Sequence, residues 1–339
     1  MREVVSGPAK VTQRTMRAPS TPDLYGALDL GTNNCRLMMA TPVGDGLKVV
    51  EAYSRATRLG EGLARTGALS DAAMGRTIHV LSECARRLER RKVRRTRVVA
   101  TEACRRAANG ADFLRRVREA TGLAIEIISS EEEARMALAG CSPLLAREPD
   151  TALVFDIGGG STELIKVHLD QGRPTIVAFE SLPMGVVNLA ECETLMEPEG
   201  YSAIVDDIAA KLAGFDADGS LQAAAQAGSL QMLGTSGTVT TLASIHLGLT
   251  RYDKSRVDGL FMSRDEVTAV SRRLVTSAVV DREAHPCIGV DRADLVVAGC
   301  AILDAICRRW PAERLRVADR GVREGLLLSM IREDARAGN

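Results

Sequence analysis

The chain states one structural phrase twice. Tyr25–Ala40 reads YGALDLGTNNCRLMMA, and Ala152–Val167 reads ALVFDIGGGSTELIKV. Aligning Asp29 with Asp156 also brings Leu30 onto Ile157, Gly31 onto Gly158 and Leu37 onto Leu164. In each copy an apolar strand runs into an Asp–apolar–Gly turn and leaves as a second, alternating strand. That is the pattern of a β-hairpin bent around a glycine-rich loop. Two loops of one chemistry at matching places in two halves point to a duplicated domain. The length of 339 residues agrees, because it exceeds what one ordinary core organises.

Between and after the hairpins, strands alternate with helices, the signature of α/β layers. The first half is expected to hold a strand at Leu47–Tyr53, an amphipathic helix over Ser70–Arg91 and a buried strand at Arg97–Ala100. A helix at Ala111–Ala120, a strand at Ala124–Ile128 and a helix at Glu131–Leu145 complete it. The second half is expected to hold strands at Thr151–Asp156, Glu163–His168, Thr175–Ser181 and Ser229–Leu233. Its helices are read at Gly185–Leu195, Ala203–Phe215, Arg264–Thr276, Ala293–Arg309 and Arg320–Arg332. Ala146–Asp150, with Pro149, marks the boundary. The organisation expected is a disordered tail (1–22), a first domain (23–145), a second domain (146–319) and a C-terminal helix (320–339) that could return to the first.

Glycine at Gly158, Gly159 and Gly160 lets backbone approach a ligand and aim successive N–H groups at an anion. Ser161 and Thr162 add hydroxyl donors, and Gly31, Thr32 and Asn33 repeat the arrangement in the first half. A third loop, Gly234-Thr235-Ser236-Gly237-Thr238, joins a strand to a helix beginning near Val239, and helix N-termini favour phosphate. Any one of these could be a tight turn that merely needs glycine. Three together, two of them duplicated with an aspartate, read as phosphate-binding loops. Asp29 and Asp156 each end a strand, where α/β sheets gather ligands. A carboxylate repels phosphate, so its natural partner there is Mg²⁺.

Two further clusters carry chemistry. Ser129-Ser130-Glu131-Glu132-Glu133 opens a helix, and Ser129 with Glu132, or Ser130 with Glu133, would form a capping box. Alternatively, one glutamate faces the phosphate cleft and deprotonates an attacking water. Glu163 could steer that water or sit near the metal. Arg105 follows a strand end, a good position for gripping phosphate oxygens bidentately. The basic run Arg86–Arg97 reads as a solvated helix end rather than a polyanion track. Arg323, in Asp319–Gly325, is either catalytic or an ion-pair partner.

Composition removes several functions. Equal numbers of basic and acidic residues, 44 each, argue against nucleic-acid binding by global attraction, and 3% aromatics leave little for base stacking. No apolar run approaches the roughly 18 residues that cross a bilayer. The eight cysteines are scattered without a C-x-x-C, as in a cytoplasmic protein with reduced thiols.

With these residues in hand, the chain resembles the exopolyphosphatase / guanosine pentaphosphate phosphohydrolase (Ppx/GppA) family of the actin-like ATPase superfamily. The matching stretches are Asp29–Asn33, Glu132–Arg135, Asp156–Glu163, Met184-Gly185, Gly234–Thr238 and Val322–Gly325, in family order. The resemblance implies two duplicated ribonuclease H-like domains with a cleft between them, Mg²⁺, and hydrolysis of a terminal phosphoanhydride. It implies Glu133 as general base, Asp156 as the metal-associated aspartate and Glu163 as the second acid of that loop. It also implies Arg105 as a phosphate-contacting arginine, Gly158–Ser161 and Gly234–Thr238 as phosphate loops, a homodimer, and the short form without the additional C-terminal domain. The substrate expected is inorganic polyphosphate or guanosine pentaphosphate. The competing readings are an actin-like ATPase or sugar kinase, which would need a purine pocket, and a non-catalytic sensor of guanosine tetra- or pentaphosphate.

Overall fold

The computed structural model describes residues 23–44 and 46–337, so the tail expected over 1–22 lies outside the described residues. Its first sheet is built from β1 (Tyr25–Leu30), β2 (Asn34–Val43), β3 (Gly46–Ala56), β4 (Arg95–Ala100) and β5 (Glu126–Ile127), in the order β3-β2-β1-β4-β5. The hairpin partners are antiparallel, with Asp29 opposite Arg36, whereas β4 joins β1 in parallel. The second sheet comprises β6 (Thr151–Ile157), β7 (Thr162–Asp170), β8 (Arg173–Leu182), β9 (Leu230–Thr235), β10 (Phe261–Ser263) and β11 (Arg314–Ala318). Its order is β10-β11-β9-β6-β7-β8. From β8 inward, β8-β7-β6-β9-β11 repeats the first sheet strand for strand and direction for direction, with β10 as an added antiparallel edge. Duplication therefore extends beyond the loops to the whole topology.

Each sheet is covered on both faces, as parallel sheet cores require. The helix Asp71–Arg91 starts at Ser70, whose hydroxyl accepts from the Ala73 N–H at 3.2 Å. It turns Met74, Leu81, Cys84 and Leu88 onto Leu28, Leu37 and Phe113. On the opposite face Tyr25, Ala27, Met38 and Val99 meet Leu326, Leu327 and Met330 of the last helix, Val322–Ala337. The second sheet packs Leu153, Phe155 and Leu164 against the helices Gly237–His246 and Leu295–Arg309.

The helix Ser130–Cys141 lies between the sheets. Ala137 belongs to the core under β1, and Ala134, Leu138 and Cys141 belong to the core under β6 and β7. It crosses Val322–Ala337 at very short range: a methyl added at Gly325 would stand 2.0 Å from the Met136 carbonyl oxygen. The general-base candidate thus rides on an element packed by both halves.

Several boundaries differ from the sequence reading. The helix expected over Glu131–Leu145 ends at Cys141 because Pro143 cannot continue it, and a 3₁₀ turn, Ser142–Leu144, follows. Gly185–Leu195 resolves into a short helix, Val186–Ala190, and a separate 3₁₀ turn, Glu193–Met196. Ala203–Phe215 begins earlier, at Pro198, with proline in the first turn. Ala124–Ile128 shrinks to Glu126–Ile127. β11 and β10 were not expected, although Leu315 and Val317 alternate with Arg314 and Arg316 as in a half-buried strand.

Candidate active site

The hairpin loops converge. A cleft lies between the halves, lined by Gly31–Asn33 on one side and Gly158–Ser161 on the other, with Asp29, Asp156, Glu133 and Glu163 in its walls. The loops touch: a methyl at Gly160 would fall 2.6 Å from the Thr32 hydroxyl, and one at Gly159 would fall 2.9 Å from the Asn33 nitrogen. Only glycine permits that approach. Gly185 backs the loop closely enough that a methyl there would lie 2.3 Å from Gly159. Val186 and Val187 donate to the Gly158 and Gly159 carbonyls at 3.0 and 2.8 Å, and the Gly158 N–H closes the loop onto the Ser161 carbonyl at 2.9 Å.

The three consecutive glutamates diverge around the helix start. Ser129 accepts from the Glu132 N–H at 3.1 Å and supplies the cap. Glu131 pairs with Arg135 at 3.5 Å, and Glu132 reaches Arg97 at 2.5 Å instead of closing a capping box. Glu133 alone turns into the cleft. Arg105 donates to Glu133 Oε2 at 3.1 Å, to Glu102 at 3.0 Å and to the Ile128 carbonyl at 2.8 Å. Held by three such bonds, Arg105 fixes the orientation of Glu133. It does not line the cleft wall, where Glu102 does.

Burial, then the neighbouring Glu163 charge, pushes the Glu133 carboxyl well above the usual carboxylate range, against the pull of Arg105. Glu163 is raised to about 7, chiefly by burial and then by Asp156, although Ser161 and Ser181 donate to its Oε1 at 2.6 and 2.9 Å. Burial lifts Asp156 to about 6, with Arg36 opposing the rise and Asp29 adding to it. Asp29 is raised by its own burial, with Arg36 and Arg323 opposing. Such a concentration of perturbed acids in one cleft is characteristic of functional sites.

Two part-buried aspartates crowding like charge fit a hard divalent cation, which would relieve the repulsion. Among the described residues no three His, Cys, Asp or Glu side chains form a ready-made metal cage.

The third loop is tighter than the sequence reading has it. Gly234 and Thr235 belong to β9: Gly234 abuts the Phe155 ring, and the Thr235 hydroxyl donates to the Arg320 carbonyl at 2.6 Å. The helix begins at Gly237, so only Ser236, Gly237 and Thr238 face the cleft. Ser236 holds φ 112°, a region costly for any residue but glycine, and its buried hydroxyl has no partner. Thr162 is likewise withdrawn, donating to the Met184 carbonyl at 2.6 Å.

Sequence reasoning missed two arginines in the wall, Arg36 and Arg292. Arg292 is disfavoured as a cation first by burial and then by Arg36, so the pair calls for an anion between them. Arg36 could have been found from the hairpin register that sets it beside Asp29. Arg292 sits in the 3₁₀ turn Val290–Arg292, where no periodicity marks it. Beside Arg323, Glu324 accepts from the Gly321 N–H at 2.9 Å and from Lys254 at 3.2 Å, stabilising the start of the last helix.

The model of the Ppx/GppA phosphatase family matches residues 39–334. The chain belongs to that family. Among Ppx/GppA relatives, exopolyphosphatase 2 of Mycobacterium tuberculosis is 28% identical over 318 residues, which cover 90% of this chain and 97% of that protein. A Ppx/GppA family member from Aquifex aeolicus superposes with a TM-score of 0.74 at 27% identity, covering 93% of this chain and 99% of that one. An exopolyphosphatase from Cytophaga hutchinsonii, 21% identical, shares the fold with a TM-score of 0.80 over 92% of this chain and 98% of its own. The Ppx/GppA fold therefore spans both sheets and the cleft between them. Among the described residues no helix is long and apolar enough to cross a membrane.

Proposed function

We propose that this protein is an exopolyphosphatase that hydrolyses the terminal phosphoanhydride of inorganic polyphosphate. The observation that carries the reading is the placement of Glu133 in the same cleft wall as the glycine loop Gly158–Ser161, with Arg36 and Arg292 completing an anion-binding lining. A kinase would need a base beside a substrate hydroxyl, whereas Glu133 stands among phosphate-binding groups, as a base for water would. The similarity to exopolyphosphatase 2 of Mycobacterium tuberculosis favours an all-phosphate chain over guanosine pentaphosphate.

In this reading the loop N–H groups, Arg36 and Arg292 grip the terminal phosphates and offset their charge. Glu133, steadied by Arg105, accepts the proton of a water aligned with the terminal phosphorus. Glu163, fixed by Ser161 and Ser181, orients that water. Contact between the loops excludes bulk solvent while the P–O bond breaks and orthophosphate departs. Asp29 and Asp156 would hold Mg²⁺, which supplies further neutralisation of phosphate charge when bound.

The test measures orthophosphate release from long-chain polyphosphate, guanosine pentaphosphate and ATP, each with Mg²⁺, for the wild type and for Glu133→Gln. Release from polyphosphate that Glu133→Gln abolishes supports the reading. Phosphorylation of an acceptor by ATP, or near-normal turnover by the variant, overturns it.

A further inference from the structure

The halves are tied covalently on the side where Ser130–Cys141 crosses the last helix, and a second, noncovalent tie spans the cleft elsewhere. Arg58 donates Nη1 to Asp294 Oδ2 at 3.1 Å, Nη2 to Asp294 Oδ1 at 3.0 Å and Nη2 to the Asp291 carbonyl at 3.1 Å. This fork is bidentate and joins residues 236 positions apart. Nearby, the Gly62 N–H donates to Glu191 Oε1 at 2.8 Å, again from the first half to the second.

Both ends of the fork lead directly to substrate-binding elements. On the first half, the Thr57 and Arg58 N–H groups donate to the Asn33 carbonyl at 2.8 and 3.0 Å, and Gly60 N–H donates to the Thr32 carbonyl at 2.9 Å. The Arg58 backbone is therefore strapped to the first phosphate loop. On the second half, Asp294 caps Leu295–Arg309 by accepting from the Leu295 N–H at 3.0 Å. Asp294 lies two positions after Arg292, and Leu295 and Val296 line the cleft beside it. Arg58 also holds a left-handed φ of 46°, a conformation that costs a side-chain-bearing residue energy and recurs at functional sites.

We infer that Arg58 is a positioning residue whose fork on Asp294 and Asp291 holds the first phosphate loop in register with the turn that carries Arg292. The fork biases the halves toward the state in which the terminal phosphates are gripped from both sides. It acts on affinity, because a bound polyphosphate end pulls the same halves together once it is saturating. The inference rests on the proposal that this cleft hydrolyses a phosphoanhydride.

Two single variants and their combination test it. Arg58→Gly removes the fork and adopts the left-handed backbone freely. Asp294→Asn removes the charge and keeps a capping side chain. Each is expected to raise KM for long-chain polyphosphate about three- to five-fold, the size a part-exposed ion pair supports, while kcat stays within about two-fold. The double variant is expected to match the singles rather than multiply them. The melting temperature of Arg58→Gly should stay at or above that of the wild type, which separates positioning from mere scaffolding. Small-angle scattering without substrate should give both variants a larger radius of gyration. Unchanged KM, multiplicative effects or an unchanged radius overturns the inference. A wild type that hydrolyses no phosphoanhydride overturns the functional reading instead, and the radius alone then decides the tie.

Discussion

Glu133 illustrates how much one side chain owes to its neighbours. Its carboxyl is part-buried, feels the Glu163 charge and is held above the usual carboxylate range, with Arg105 alone among its named neighbours drawing it back. A base so placed is strong when ionised, and the fraction ionised grows as pH rises, so kcat should climb through the titration of this group. Glu133→Gln should lower kcat by about 10³-fold, within the range for loss of a general base. It should not lower the urea midpoint, because the variant removes a carboxylate that burial disfavours and leaves Arg105 bonded to Glu102 and the Ile128 carbonyl. Arg292 belongs to the same scale. Replacing it with glutamine removes one of two crowded cations and should raise KM for polyphosphate about ten-fold with less effect on kcat, measured by phosphate release across substrate concentration.

At the scale of elements, the helix Ser130–Cys141 is the piece on which catalysis and packing meet. A methyl at Gly325 would stand 2.0 Å from the Met136 carbonyl, so Gly325→Ala must push the two crossing helices apart. The expected cost is about 3 kcal/mol in chemical denaturation, with kcat reduced even where the variant is fully folded, because Glu133 moves with its helix. This crossing also marks where sequence reading stops. The hairpins were legible because strand alternation and Asp–apolar–Gly turns are local, and the register of Asp29 with Arg36 and Asp156 with Glu163 follows from them. Arg292 was not legible, since a three-residue 3₁₀ turn is too short to show a period and its like-charged neighbour Arg36 comes from the other half. Nor could spacing decide the fate of the basic run. The fold spends Arg87 and Arg91 on Glu51, Arg95 on Glu333 and Asp334, and Arg97 on Glu126 and Glu132, so that stretch is a set of fastenings. The Arg105–Glu133 contact was not legible, because it exists only after the strand and both helices have packed.

For the whole molecule, the cleft acids make stability depend on pH in a direction opposite to ordinary acid unfolding. Asp156 is raised from 3.8 to about 6 and Glu163 from 4.5 to about 7, both chiefly by burial. Between their unfolded and folded values the folded protein binds more protons than the unfolded chain, so stability falls as pH rises through that window. Together they weaken the metal-free fold by on the order of 2–5 kcal/mol between pH 5 and pH 8. The surface acids work elsewhere. Lys166 holds Asp218 at about 2, and Arg91 and Arg87 hold Glu51 below its ordinary value, so their stabilisation is lost only as pH falls through the acid range. Thermal melts of metal-free protein should therefore peak near pH 5, decline toward pH 8, and flatten in Glu163→Gln. A divalent cation competes with protons for the same carboxylates. Mg²⁺ should accordingly raise the melting temperature at pH 8 and barely at pH 5. A melt insensitive to Mg²⁺ at both values would mean that Asp29 and Asp156 carry their repulsion unrelieved, and that the cleft neutralises phosphate with Arg36 and Arg292 alone.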